Sequence, residues 1–232
     1  MMRTAFKKMN QNSKADGPNT QTACPLPPRD RVLEVARELF AEAGFHGTHL
    51  RAICKRAGTN VAGVCYHFQS KEGLYEAVSM EAGRRLSDES KGLPVLSHLP
   101  SEKKLLTLTE SLLQRLGANR RWIAKLLARE LVDPACAAHN YAASGLERDF
   151  ILLQGVTRDL LREKANNEAV RFHALSVIGE CVFYSLAGEN PRHPLTQIAV
   201  NSPTRARLAR FLAHRALSAL QREEAELEIL NS

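Results

Sequence analysis

The chain has 232 residues, of which 44% are hydrophobic and 25% charged, with a formal net charge of +7. That composition suits a globular protein able to bury a real core in one or two domains, and the excess positive charge favours an acidic partner without separating DNA from RNA or an anionic membrane. Five cysteines (Cys24, Cys54, Cys65, Cys136 and Cys181) are odd in number, widely spaced and free of any CxxC pair, which argues against a disulfide scaffold or a zinc site and suits a reducing cytoplasm.

Residues 1–28 are polar and end in Pro25, Pro27 and Pro28. They read as a disordered arm made basic by Arg3, Lys7, Lys8 and Lys14, either a loose solvated tail or a segment that touches the DNA minor groove. No apolar stretch there resembles a signal sequence, and no run elsewhere reaches the length of a membrane span. A first helix is predicted over Asp30–Ala43, where Val32, Val35, Ala36, Leu39, Phe40 and Ala43 form one apolar stripe and Gly44 ends it. His46 and His49 make an HxxH pair, but it straddles a helix start and has no carboxylate or cysteine nearby, so no metal is expected.

Thr48 to Lys71 reads as two short helices around a tight turn. Thr48 is placed to cap the first, whose buried face is Leu50, Ile53, Cys54 and Ala57, and Gly58 suits the left-handed residue that closes it. Asn60 is placed to cap the second, with the apolar stripe Val61, Val64, Cys65 and Phe68 and an opposite face of Ala62, Gly63, Tyr66 and His67. Ser70 then caps a longer helix, with Glu72 favourably set for its dipole. No acidic residue lies between Glu42 and Glu72, while Arg51, Lys55, Arg56, Lys71 and three histidines do. A Gly-containing turn between two short helices on a basic surface fits a helix-turn-helix whose second helix enters the major groove. A helical hairpin with a solvated basic face is the plainer alternative.

The segments ARELFAEAGFHGTHLRAICKRAG and VAGVCYHFQSKEGLYEAV resemble the DNA-binding domain of the TetR family of bacterial transcriptional regulators. The resemblance implies an all-α protein, with a three-helix DNA-binding head over 29–75 and a helical ligand-binding and dimerisation body over 76–224, followed by a tail at 225–232. It implies DNA contacts from Thr48, Arg51, Asn60, Ala62, Gly63, Cys65, Tyr66, His67 and Lys71, with the YHF segment clamping the DNA backbone. Two positions depart from the usual pattern: Thr59 replaces an apolar residue, and Cys65 stands where Tyr or Asn is common.

Further on, the long helix from Ser70 should reach about Ser90, before Gly92 and Pro94. Helices are then predicted from Ser101, over Arg121–Val132, from Ser144 to about Lys164, over Glu168–Ala187 and from about Thr204 to beyond Leu220, about nine in all with no strand. RWIAKLLARELVDP and ALSVIGECVFYSLAG resemble the C-terminal domain of a TetR subgroup that includes the regulator associated with cefoperazone and chloramphenicol sensitivity. Trp122, Arg129, His139, Phe150, Phe172, Glu180 and Tyr184 are candidates for an effector pocket that joins aromatic and polar groups. Gly179, Val182, Phe183, Leu208, Phe211 and Leu212 are candidates for a homodimer interface of four helices, the alternative being that both helices complete a monomeric core. Glu180 is the odd carboxylate in its apolar helix. It either bonds across the dimer, contacts a ligand or pairs with an arginine of the last helix.

No GxSxG, Walker loop, HExxH or dinucleotide-binding pattern occurs, and Glu130 and Asp133 read as solvated acids at a helix end. The expectation is therefore a non-enzyme that needs no cofactor. It is a ligand-responsive repressor in the bacterial cytoplasm, associated with the nucleoid, whose homodimer binds a palindromic double-stranded operator and a small-molecule effector, with no membrane partner. Two other classes fit less of the sequence: an architectural DNA-binding protein without sequence preference, and a small-molecule-binding or enzymatic body with a vestigial head.

Overall fold

The computed structural model describes residues 26–91, 96–117, 120–132, 141–162, 166–187 and 202–230. Among these residues the chain is all α. Its helices are α1 (Pro28–Gly47), α2 (Leu50–Ala57), α3 (Val61–Phe68), α4 (Lys71–Lys91), α5 (Ser101–Leu116), α6 (Arg121–Val132), α7 (Tyr141–Ser144), α8 (Glu147–Leu161), α9 (Asn167–Ala187) and α10 (Ser202–Leu230). A 3-10 turn at Leu96–His98 precedes α5. The helix beyond the predicted nine is α7, whose four residues are too few to display a helical period. Helix α10 continues to Leu230, past the predicted start of the tail. Helix α8 is shorter than expected: it begins at Glu147, and Arg162, at φ 53°, ends it.

Helix α1 starts with Pro28 at its first turn, where the missing N–H costs nothing. Gly44 interrupts it as predicted, with φ 72° and ψ −180°, although helical turns resume through Gly47. That backbone region is open essentially to glycine alone. Thr48 is not the N-cap of α2. His49 occupies that position without a side-chain bond, and the Thr48 hydroxyl turns back to the carbonyl oxygens of Leu39 (3.0 Å) and Gly44 (2.7 Å). Helix α5 begins at Ser101 as predicted, with Pro100 at the cap position, so the Ser101 side chain does not cap it. Its hydroxyl instead lies 3.4 Å from a carboxylate oxygen of Asp159.

Helix α1 packs on α2, α3 and α4, and also on α6; α4 runs on to meet α7, while α5 is surrounded by α8, α9 and α10. Most of the buried apolar residues form one cluster, from Val32, Phe40, Ile53 and Phe68 through Leu74 and Leu86 to Leu113, Ile123, Cys181 and Leu212, and Leu161, Ala169, Val170 and Leu220 form a second, smaller one. Burying a side chain such as Phe40 or Leu112 stabilises the fold by about 1.5–3 kcal/mol each. Two glycines let α4 and α7 touch: a Cβ on Gly83 would lie 2.0 Å from the Tyr141 carbonyl oxygen, and one on Gly145 would lie 2.5 Å from that of Gly83.

Helix α9 is long and apolar enough by composition to cross a membrane, with a mean hydropathy of 1.2. This corrects the expectation that no segment would be. In the fold, Val170, Ala174, Val177, Cys181 and Ser185 of α9 pack into the interior. Leu208 and Leu212, expected at a dimer interface, also point inward and are buried in the chain's own core.

Candidate nucleic-acid interface

Helices α2 and α3 are joined as the sequence predicts. Gly58 is left-handed at φ 64°, ψ 43°, and a Cβ there would meet nothing within 4 Å, so the glycine serves backbone conformation and not space. Asn60 caps α3, its Oδ1 accepting from the Gly63 amide at 2.8 Å, a contact of about 1 kcal/mol. Ile53, Cys54, Ala57, Val64 and Phe68 are buried against α1 and α4. Val61 departs from the predicted stripe and is exposed, because the first residue of an eight-residue helix overhangs the core.

The connection from α3 to α4 is a tight reversal. The Ser70 amide donates to the Phe68 carbonyl at 2.7 Å around Gln69, at φ 66° and ψ −50°, which is a γ-turn. Ser70 then caps α4 by accepting from the Gly73 amide at 3.2 Å. Its hydroxyl also holds the Glu72 carboxyl below its ordinary value. A Cβ on Gly73 would fall 2.2 Å from the Phe68 carbonyl oxygen. The SKEG sequence is therefore a cap and a close approach that together fix α3 against α4.

What remains outward is one surface. Arg51, Lys55 and Arg56 of α2 are exposed, as are Ala62, Tyr66 and His67 of α3, with Gly63 and Cys65 half-buried between them. Tyr66 is 84% exposed, and its ring meets His67 edge to face at 5.0 Å. Tyr66 therefore does not pack in the core. Arg56 pairs with Glu38, so Arg51 and Lys55 carry most of the surface charge of α2. Thr48 and Lys71, also in the predicted DNA set, make contacts within the head. Thr48 is only 3% exposed and bonded inward, and the Lys71 ammonium lies 4.4 Å over the Phe45 ring. The thiols of Cys54 and Cys181 are raised by burial, that of Cys181 to about 12, which leaves half-buried Cys65 as the accessible thiol among the described residues.

Among the described residues, the candidate effector side chains sit in different surroundings. Trp122 stands at the junction of head and body, with the guanidinium carbons of Arg37 and Arg85 at 5.6 and 5.9 Å from its ring centre. Both arginines grip Glu81, Arg37 through two bonds of 2.7 and 2.6 Å and Arg85 at 3.0 Å. Arg129 leaves the body and donates to the carbonyls of Ala41, at 3.0 Å, and Glu42, at the end of α1. Phe172 points outward from α9, Phe150 and Tyr184 are half-buried against the core, and His139 lies outside the described residues. Glu180 resolves to the third of its alternatives, an ion pair with Arg215 of α10. A cleft of about 330 Å³ at the junction is lined by Ala41, Glu42, Lys125, Ala128, Arg129 and Leu186.

Several polar groups escaped the sequence reading. Glu130 is not solvated: it is 3% exposed and accepts from the Ser79 hydroxyl, and burial pushes its carboxyl above the ordinary value. Arg115 and Asp149 form a buried pair; a charged residue inside the leucine-rich face of α5 was the one signal that could have revealed it. Of the dimer candidates, Gly179, Phe183 and Phe211 are exposed and Val182 is half-buried. With Phe172 and Leu175 they give α9 and α10 an outward apolar band.

Comparison with known proteins gives the same architecture. Residues 32–78 match the family described as bacterial regulatory proteins, tetR family, and residues 101–221 match the C-terminal domain of the HTH-type transcriptional dual regulator CecR. The chain is similar to the HTH-type transcriptional regulator UidR of Escherichia coli, at 29% identity over 124 residues, covering 52% of this chain and 60% of that protein. The match thus spans less than two thirds of that relative's length. A solved TetR-family regulatory protein from Rhodococcus RHA1 superposes with a TM-score of 0.62 at 17% identity, covering 83% of this chain and 96% of that one. The regulator FadR of Bacillus subtilis, solved in complex with stearoyl-CoA, does so with a TM-score of 0.58 at 16% identity, covering 82% and 97%.

Proposed function

The chain belongs to the TetR family of bacterial regulatory proteins, and from that premise we propose that it is a homodimeric, ligand-responsive repressor of transcription that acts by binding DNA and not by catalysis. The observation that carries the reading is the outward face of α3. Ala62 and Gly63 are small enough to let the helix backbone approach base edges, and exposed Tyr66 and His67 flank them with donors for phosphate. Arg51 and Lys55 add charge on α2 in a stretch free of acidic residues. Such a protein works on the nucleoid, in the cytoplasm.

The apolar band on α9 and α10 supports the dimer, since Phe172, Leu175, Phe183 and Phe211 are large groups left facing water. Two heads related by a two-fold axis would read two half-sites about 34 Å apart, which makes the operator palindromic. An effector held by the body releases the DNA only by favouring a head spacing that no longer fits, so it must bind the two forms with different affinities. The FadR neighbour solved with stearoyl-CoA supports a body that senses a small molecule.

The test is to incubate purified protein with a random-sequence duplex pool and sequence what is retained, then screen compounds for release of that duplex. A two-fold symmetric sequence is expected. Binding with a steep salt slope but no preferred sequence would replace this reading with an architectural one.

A further inference from the structure

We propose that Arg129 and Glu130, consecutive residues in the last turn of α6, are the positioning residues that set the angle of the DNA-binding head on the body. They point to opposite sides of the head. Arg129 donates to the Ala41 and Glu42 carbonyls just ahead of the Gly44 kink. Two further carbonyls of that kinked end, those of Leu39 and Gly44, accept from the Thr48 hydroxyl at the entry to α2. One run of contacts therefore leads from α6 through the end of α1 to α2.

Glu130 makes the second run. Its carboxylate accepts from Ser79, two turns into α4, whose own start is locked to α3 by the Ser70 cap and the close approach at Gly73. The amides of Ala142 and Ala143 in α7 also favour its charged form, and the Ala142 amide donates to the Ser79 hydroxyl at 3.2 Å. One turn of α6 thus holds both shoulders of the helix-turn-helix, α1–α2 through Arg129 and α3–α4 through Glu130. A displacement of that turn moves the two together and changes head angle without reshaping either recognition helix.

The DNA arm of the test rests on the dimeric repressor reading; a second arm does not. The duplex selected by the wild-type full chain is remade with one base pair inserted or deleted at its centre, and affinities are measured for wild type, Arg129→Met, Arg129→Lys and Glu130→Gln. Loss of a charge-assisted bond should lower affinity for the selected spacing about tenfold in Arg129→Met, while the altered spacings stay within about threefold of wild type, which flattens the spacing preference. Arg129→Lys, which keeps one donor group, should fall between. A variant that is merely less stable lowers binding at every spacing equally, and a preserved spacing profile overturns the proposal. Hydrogen exchange on the same proteins without DNA should show faster exchange in α2 and the last turn of α1 for Arg129→Met, and in α7 and the adjoining part of α4 for Glu130→Gln, with α5 and α8 unchanged. Wild-type protection in those segments also overturns it. If the wild type selects no sequence, the repressor reading falls and hydrogen exchange alone decides whether these residues hold the head.

Discussion

The carboxylate of Asp149 receives both terminal nitrogens of Arg115, at 2.6 and 2.9 Å, with neither side chain open to solvent. The same guanidinium donates to the Leu86 carbonyl at 2.9 Å and to the Ser111 hydroxyl at 3.2 Å. The pair therefore ties α4, α5 and α8 together through one fully engaged cation. A buried pair of this kind is costly to break from one side, because the remaining charge stays desolvated, yet an apolar replacement of both is often neutral. Asp149→Ala should lower unfolding free energy by about 3–5 kcal/mol in urea titration, and Arg115→Met with Asp149→Leu should recover most of it. A cost for Asp149→Ala below about 1 kcal/mol, the range of solvated pairs, would sink this view of the core.

Glu130 makes stability depend on pH in a direction opposite to most carboxylates. Burial raises its folded-state value above the ordinary 4.5, and the bonds from Ser79, Ala143 and Ala142 only partly offset that. A raised folded value means the folded state binds more protons than the unfolded chain. The stabilising effect of protonation is thus fully present below the unfolded value and is lost as pH rises through the folded one. Glu130→Gln cannot titrate, so wild type should lose stability relative to this variant as pH is raised from about 4.5. The check is the difference in urea midpoint between the two proteins across pH; a difference that stays flat, or that favours wild type as pH rises, contradicts it.

Gly44 is constrained twice. Its φ of 72° disfavours any side chain, and a Cβ would lie 2.9 Å from a terminal nitrogen of Arg129. Gly44→Ala should therefore destabilise by about 1–3 kcal/mol through backbone strain, and should also push Arg129 from the end of α1. Combining it with Arg129→Met should cost less than the sum of the two, because the clash and the clamp share one side chain. Strict additivity in thermal denaturation would mean that the two residues do not communicate.

The head was readable from sequence because local chemistry dictates its joints. Gly58, Asn60 and Ser70 are turn and cap residues whose roles depend only on their near neighbours, and each does what its type suggests. Thr48 misled for the same reason: it precedes a helix as a cap does, but the kink at Gly44 leaves carbonyls that its hydroxyl reaches first. The body resisted because its polar contacts link distant segments. Trp122 meets Arg37 and Arg85 from two other helices, and Glu130 meets Ser79 across 51 positions, a pairing to which helical periodicity is blind. Leu208 and Leu212 were placed on the dimer face with Phe211, yet helix geometry sends the two leucines inward and the phenylalanine outward.

Tyr66 offers the cleanest test of the DNA face. It is the large aromatic most open to solvent among the described residues, at 84%, and its ring rests only against the neighbouring His67, so its hydroxyl has no structural duty inside the head. Removing that hydroxyl cannot open a cavity or strand a buried partner. Tyr66→Phe should therefore leave the thermal midpoint unchanged while weakening binding to every duplex by about 1 kcal/mol, the value of one neutral hydrogen bond to phosphate. A contact with a base edge would instead change affinity for some sequences and not others. His67→Ala, measured beside it, should also weaken binding to every duplex, because it removes a ring N–H that can donate to phosphate. If both variants bind the selected operator as wild type does, this face of α3 does not meet the DNA backbone.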